Sequence, residues 1–226
     1  MKEVLENGKT FIRFGDGEIF LLNYGNMGYE DSTPYIRSSF KRIINNYRDN
    51  SPYVLGINEG PLTKSNKDLK SNNLLRCWLP LKAYYYLYFP KQVSYIDSSI
   101  FYYQETIPKF VEEYLLDKQV VVVTKKETIE KLVSNKNIPF KDIVYIETPA
   151  VKASLMSKQI MEDILTSVES SKKKSVVLLA CGPFSKILAY DLALKNIQSI
   201  DIGVGVEFMY TGTDKSEMVK PAASYR

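Results

Sequence analysis

Ser175-Val176-Val177-Leu178-Leu179-Ala180-Cys181-Gly182-Pro183-Phe184 passes from a continuous apolar, β-branched run through a Gly-Pro turn into helical periodicity. A short apolar run bounded by turn residues reads as a strand buried on both faces, and such strands belong to parallel sheets covered by helices. The unit repeats on both sides of the quoted stretch. Upstream, Gln119–Thr124 predicts a buried strand, Glu127–Val133 a short helix, Ile143–Glu147 a strand and Val151 to about Val168 a longer helix. Downstream, Phe184–Lys195 predicts a helix and Ser199–Gly203 another strand. In the first half, Thr10–Phe14 and Val54–Ile57 read as strands, with helices near Ile19–Tyr24 and Tyr35–Tyr47. Strands alternating with helices predict an α/β class: a single Rossmann-like domain with a mostly parallel sheet.

Between these halves, from about Glu59 to Phe110, the pattern turns helical and aromatic, with Trp78, Tyr84, Tyr85, Tyr86, Tyr88, Phe89, Tyr102 and Tyr103. We read residues 1–226 as one domain with a helical, aromatic-rich insertion at about 59–110. Rings of this size usually build core; the functional alternative is a platform on which the C–H face of an acceptor sugar stacks.

Composition narrows the function. The 226 residues carry 30 Lys and Arg against 26 Asp and Glu, a net charge of +4. The lysines are scattered apart from Lys172-Lys173-Lys174, so no nucleic-acid footprint is expected. No apolar run approaches the roughly 20 residues of a membrane span, and the charged Met1–Glu6 start lacks a signal-peptide core, so the expected location is cytoplasmic. Cys77 and Cys181 are isolated and read as buried thiols. Histidine is absent, which leaves carboxylates, Tyr, Lys or a bound ion for catalysis.

In an open parallel sheet, ligands bind beyond the carboxyl ends of the strands. Four such ends are chemically suggestive: Arg13-Phe14-Gly15-Asp16-Gly17-Glu18, Thr148-Pro149-Ala150, Cys181-Gly182-Pro183-Phe184-Ser185-Lys186 and Asp201-Ile202-Gly203-Val204-Gly205. In extended chain the carboxylates of Asp16 and Glu18 point to one side, where a hard cation would find them. An Asp-Gly turn with a helix-capping carboxylate explains the same residues. Gly182-Pro183, with Ser185 and Lys186 in the first turn of a helix, can face a phosphate, or form an ordinary βα connection. The loop followed by Asp201 also fits, poorly, the cofactor loop of an S-adenosylmethionine methyltransferase. No G-x-G-x-x-G follows any strand, and no P-loop is present.

Together, these segments resemble the bacterial GT-D-type glycosyltransferases. Residues 13–18 match the family's Arg-Phe-Gly-Asp-Gly-Glu signature; Pro149-Ala150-Val151-Lys152-Ala153 is similar to a second segment; Gly182-Pro183, Leu188-Ala189-Tyr190-Asp191-Leu192 and Asp201-Ile202-Gly203 are similar to a third. The resemblance implies a Rossmann-like nucleotide-sugar transferase in which Asp16 and Glu18 bind a divalent metal, Mn²⁺ or Mg²⁺, that holds the diphosphate of a UDP-sugar. Arg13, Gly15, Gly17, Pro149, Gly182, Pro183, Ser185 and Lys186 would then surround the donor. The chain departs from the family after Asp-Ile-Gly, where Val204-Gly205-Val206-Glu207 replaces a frequent His. Glu207, or else Asp201, is the expected catalytic base. The expected reaction moves a hexose, glucose being the family's example, to a hydroxyl of a glycan or glycoprotein-linked glycan. A methyltransferase and a catalytically inactive nucleotide-binding scaffold are the alternatives.

Overall fold

The structure is a computed structural model, and it describes residues 2–71, 74–103, 106–135, 138 and 142–211. In chain order the elements are α1 (Lys2–Glu6), β1 (Thr10–Phe14), α2 (Asp16–Leu22), α3 (Pro34–Asn45), β2 (Tyr53–Ile57), α4 (Glu59–Thr63), α5 (Asn66–Ser71), α6 (Leu75–Tyr88) and β3 (Ile96–Asp97). A 3-10 turn at Ile100–Tyr102 leads to α7 (Thr106–Phe110), which continues as a π-helical turn over Val111–Leu115. Then follow β4 (Gln119–Lys125), α8 (Lys126–Ser134), β5 (Ile143–Thr148), a 3-10 turn at Ala153–Met156, α9 (Ser157–Glu169), β6 (Ser175–Ala180), α10 (Phe184–Ala193), β7 (Ser199–Asp201) and α11 (Gly205–Thr211).

The seven strands form one sheet in the order β3-β2-β1-β7-β6-β4-β5, with every pairing parallel. Alternate residues feed opposite faces, as the period of two requires. Val121, Val123, Val177 and Leu179 join the core beneath α2, α3, α6, α9 and α10, while Val120, Val122, Val176 and Leu178 join a second core with Phe101, Phe110 and Leu115. Helices on both faces explain why these strands read as unbroken apolar runs.

The chain extends the sheet from β1 through β2 to β3. It then crosses to the far side for β4, β5 and β6, and returns with β7 to lie against β1. The boundary between β1 and β7 is therefore the topological switch point, where an open α/β sheet leaves a crevice.

Two expectations change. The 59–110 segment is mostly helical but also supplies edge strand β3, two residues paired to Gly56 and Ile57, too short to register as a period. Its aromatic residues divide: Tyr84, Tyr85 and Phe89 are buried, whereas Tyr86, Tyr88 and Tyr103 are exposed. Cys181 is a buried free thiol; the side chain of Cys77 lies outside the described residues, as does the segment from 218 to 226. No described helix is long and apolar enough to cross a membrane.

Candidate active site

Strand β1 ends at Phe14, and the chain turns at once into α2 with Gly15 as its N-cap. Asp16 and Glu18 therefore stand in the first turn of a helix, not on extended chain. Two helical positions apart, they diverge by about 200° around the axis. The strand-pleat geometry expected for the pair is therefore not what the chain adopts; both acids instead stand at a helix N-terminus, where unpaired N–H groups and the dipole favour negative charge. The helix-capping reading of the segment is the one its contacts express. Glu18 caps, its Oε2 accepting the Gly15 N–H at 2.8 Å, and Asp16 Oδ1 accepts the Gly17 N–H at 3.0 Å.

Glu18 is also held from the other side of the crevice. Its Oε1 lies 3.0 Å from Lys186 Nζ, which in turn lies 3.1 Å from Asp201 Oδ2. Asp201 accepts the Arg13 backbone N–H at 3.2 Å, and its Oδ1 stands 3.5 Å from Arg13 Nη2. Arg13 Nη1 donates to the Ser98 carbonyl at 3.3 Å and to the Tyr102 hydroxyl at 3.4 Å, while Nε has no partner among the described residues. The result is a charge chain, Glu18–Lys186–Asp201–Arg13, that ties β1, α2, α10 and β7 together at the switch point. Lys186 and Asp201 are 5% and 0% exposed, so this is a desolvated network in which each charge depends on its partners. Burial alone would lower the pKa of Lys186, but Asp201 and Glu18 outweigh it and raise the value. Arg13 behaves the same way, with burial opposed chiefly by Asp201 and Tyr102. Asp16 is held above the ordinary carboxylate range by desolvation and then by Glu18, against the Gly17 N–H.

Arg13, Asp16, Glu18 and Lys186 wall a cavity of about 260 Å³ that also meets Gly15, Gly17, Gly182, Pro183 and Gly203, while Asp201 lies buried behind the wall. Gly203 has φ +54°, and a Cβ there would fall 1.9 Å from Arg13 Nη2, so only glycine lets β7 turn away while the guanidinium passes behind it. Gly182 has φ +67° and starts the turn into α10.

Several expected site residues lie elsewhere. Ser185 is fully buried, and its hydroxyl accepts the Cys181 N–H at 3.0 Å, so it closes the βα turn instead of facing a ligand. Pro149 is not in the cavity wall; the residues after it grip the loop that is. The Lys152 N–H donates to the Tyr29 carbonyl at 2.8 Å, and Ser154 Oγ donates to Glu30 Oε1 at 2.9 Å. Glu207 lies on α11, outside the cavity wall. Asp201 is enclosed by two cations and has no exposed surface to offer an acceptor hydroxyl.

Met27, Tyr29, Asn58, Ser98, Tyr102 and Val204 complete the wall; of these the sequence pointed only to Tyr102, as an aromatic of the insertion, and to Val204, within the strand end at Asp201. Asn58 directly follows β2, a strand the sequence displays, so the strand-end rule points to it; Ser98 follows β3, which is too short to carry a sequence signal. Asn58 Oδ1 accepts from Ser98 Oγ at 2.9 Å, and the Tyr85 hydroxyl donates to the Phe14 carbonyl at 2.6 Å, fixing the cavity floor from α6. Tyr85 is thus a buried support and not an acceptor platform. Tyr29 arrives on a loop with no local signal.

A model of the glycosyltransferase GT-D fold family matches residues 11–211. The chain belongs to that family. It is a glycosyltransferase of the GT-D fold, which sets the methyltransferase reading aside. Among solved structures, one described as a new glycosyltransferase (DUF1792) from Streptococcus sanguinis is 20% identical to this GT-D chain, covers 94% of it and 82% of its own length, and has a TM-score of 0.73. Another, described as domain of unknown function 1792 with a distinct glycosyltransferase fold, is 22% identical, covers 94% and 79% respectively, and has a TM-score of 0.69. At these identities the likeness is one of fold. No curated protein matches the chain.

The sequence resemblance implies a divalent cation, and the donor set bears on it. Among the described residues no group of three or more His, Cys, Asp and Glu side chains converges. Asp16 and Glu18 supply two carboxylates, and Glu18 has lone pairs beyond the two engaged by Gly15 and Lys186. Two carboxylates with remaining positions left to water and phosphate is the pattern of a Mg²⁺-type site, so the residues fit a hard ion completed by substrate.

Proposed function

We propose that this GT-D enzyme transfers a hexosyl group from a UDP-sugar to a hydroxyl of a glycan or glycoprotein-linked glycan, with Mn²⁺ or Mg²⁺ at Asp16 and Glu18. The observation that carries the reading is the charge balance at the switch point. Arg13 and Lys186 against Asp16, Glu18 and Asp201 leave one net negative charge, which repels a diphosphate. A divalent cation reverses that sign. When bound, the ion supplies Lewis-acid neutralisation of charge developing on the leaving diphosphate.

The protein's own groups do the rest. Glu18, braced by Lys186 and the Gly15 N–H, keeps its carboxylate at the cavity wall. Arg13 and Lys186 offer fixed positive charge, and the Gly182-Pro183 turn brings backbone close to the phosphates. The cavity is smaller than the ~300–1,000 Å³ that encloses a drug-sized ligand, so it fits the diphosphate end while the base and sugar extend outward. Asp201 anchors Arg13 and Lys186. Proton removal from the acceptor then falls to Glu207, on the helix that begins just after Gly203.

The test is UDP release from UDP-hexoses, UDP-glucose first, with an acceptor glycan extract and Mn²⁺. Wild type should turn over, Asp16→Asn and Glu18→Gln should fall by about 10²-fold or more, and Glu207→Gln should lose turnover while retaining UDP affinity. Equal turnover in wild type and both metal-site variants would remove the metal role; no turnover with any UDP-hexose would favour an inactive scaffold.

A further inference from the structure

Helix α6 supports the cavity with one side and presents an unusual surface with the other. Leu81, Tyr84 and Tyr85 are buried on its inner side. On the outer side Leu79, Pro80, Ala83 and Leu87 follow at helical spacing and share a face. Leu79 is 40% and Leu87 71% exposed, with Tyr86 exposed beside them. A helix that is apolar all round is ordinarily enclosed, so a long exposed apolar stripe implies a surface that covers it. The stripe continues into a broad groove of about 700 Å³ bordered by Lys70, Leu75 and Arg76.

Charge identifies the covering surface. From Leu69 through Ile96 the chain carries Lys70, Arg76, Lys82 and Lys91 and not one carboxylate, although acids and bases are nearly balanced over the whole chain. Lys70, Arg76 and Lys91 are exposed. Leucine and tyrosine on one face, flanked by basic side chains whose stems can lie along apolar surface, is the pattern of a helix resting in the plane of a bilayer interface.

We infer that the outer face of α6 docks on an anionic lipid surface. The leucines enter the boundary between headgroups and acyl chains, Tyr86 sits at headgroup level, and Lys70 and Arg76, which border the groove, meet lipid phosphates. Because Tyr85 on the inner side bonds the Phe14 carbonyl, docking holds the switch-point cavity about one helix diameter, ~10 Å, from the lipid. The inference stands independently of the donor assignment.

Co-sedimentation of the full chain with vesicles tests it. Binding to phosphatidylcholine containing about 30% phosphatidylglycerol should exceed binding to phosphatidylcholine alone by roughly tenfold, and should weaken at about 0.5 M salt. Leu79→Gln with Leu87→Gln should lower binding to the anionic vesicles about tenfold without altering the thermal midpoint, since both side chains are exposed. Equal binding to the two vesicle types, no binding to either, or binding unaffected by the double substitution would overturn the inference. A wild-type dimer in sedimentation velocity that the same substitutions dissolve, without vesicle binding, would assign the face to a second copy and overturn it equally.

Discussion

At the residue scale, Lys186 is the pivot. Its ammonium lies about 3 Å from carboxylates on two different elements, Glu18 and Asp201, in a place with almost no solvent. Removing it leaves two carboxylates without the cation between them, with Glu18 keeping only the Gly15 N–H and Asp201 only Arg13 among the described residues. Lys186→Met should therefore cost about 3–5 kcal/mol of unfolding free energy, read from urea denaturation, a loss typical of breaking a buried charge network from one side. A loss below 1 kcal/mol would mean that water reaches the pair. The sequence exposed Lys186 as a first-turn cation after Gly182-Pro183, but nothing in it showed that the lysine crosses the crevice to α2. That contact is set by the packing of α10 beside β1 and β7.

At the scale of elements, the strand ends divide the labour. The end of β1 supplies the acids and Arg13, that of β6 a turn, and that of β7 a glycine through which the guanidinium passes. Gly203 and Gly182 both have positive φ, yet their surroundings differ. A Cβ at Gly203 would collide with Arg13, which is tethered by Asp201, Ser98 and Tyr102; at Gly182 it would only touch the Tyr29 ring at 3.5 Å. Gly203→Ala should cost about 2–4 kcal/mol and Gly182→Ala about 1 kcal/mol, measured side by side by denaturation. Equal costs would show that backbone conformation alone decides both positions. The sequence displayed β1, β4 and β6 clearly because their runs record burial on both faces, and edge strand β5 through its β-branched run. It hid β3, which is only two residues long, and it misplaced the geometry of Asp16 and Glu18, because the helix starts one residue after the strand's last turn residue.

At the scale of the whole molecule, the sheet order was not legible: local periodicity carries no information on which strands neighbour one another. What was legible is the set of strand ends, and the switch point between β1 and β7 gathers Arg13, Asp16, Glu18, Gly182, Lys186 and Asp201 there while leaving Pro149, Ser185 and Glu207 outside the cavity wall. The ionisable groups also shape global stability. Without histidine, no imidazole titrates near neutral pH. Burial pushes the Cys181 thiol up to about 12 from an ordinary 9.0, and Lys186 is raised above 10.5. Both folded-state values exceed the unfolded ones, so the stability they confer is present below the unfolded values and is lost as pH rises past them. Unfolding free energy should hold level toward pH 9 and decline above it, by urea titration across the alkaline range. A rise in stability above pH 9 would reverse this assignment.

If the switch-point cavity binds a diphosphate through a metal at Asp16 and Glu18, the metal must change the affinity for UDP. Isothermal titration calorimetry of UDP, with and without Mn²⁺, tests it most directly. Mn²⁺ should tighten UDP binding to the wild type by roughly tenfold or more, and Asp16→Asn should remove this increment. UDP binding of equal strength with and without metal, or an Mn²⁺ increment that survives in Asp16→Asn, would contradict it.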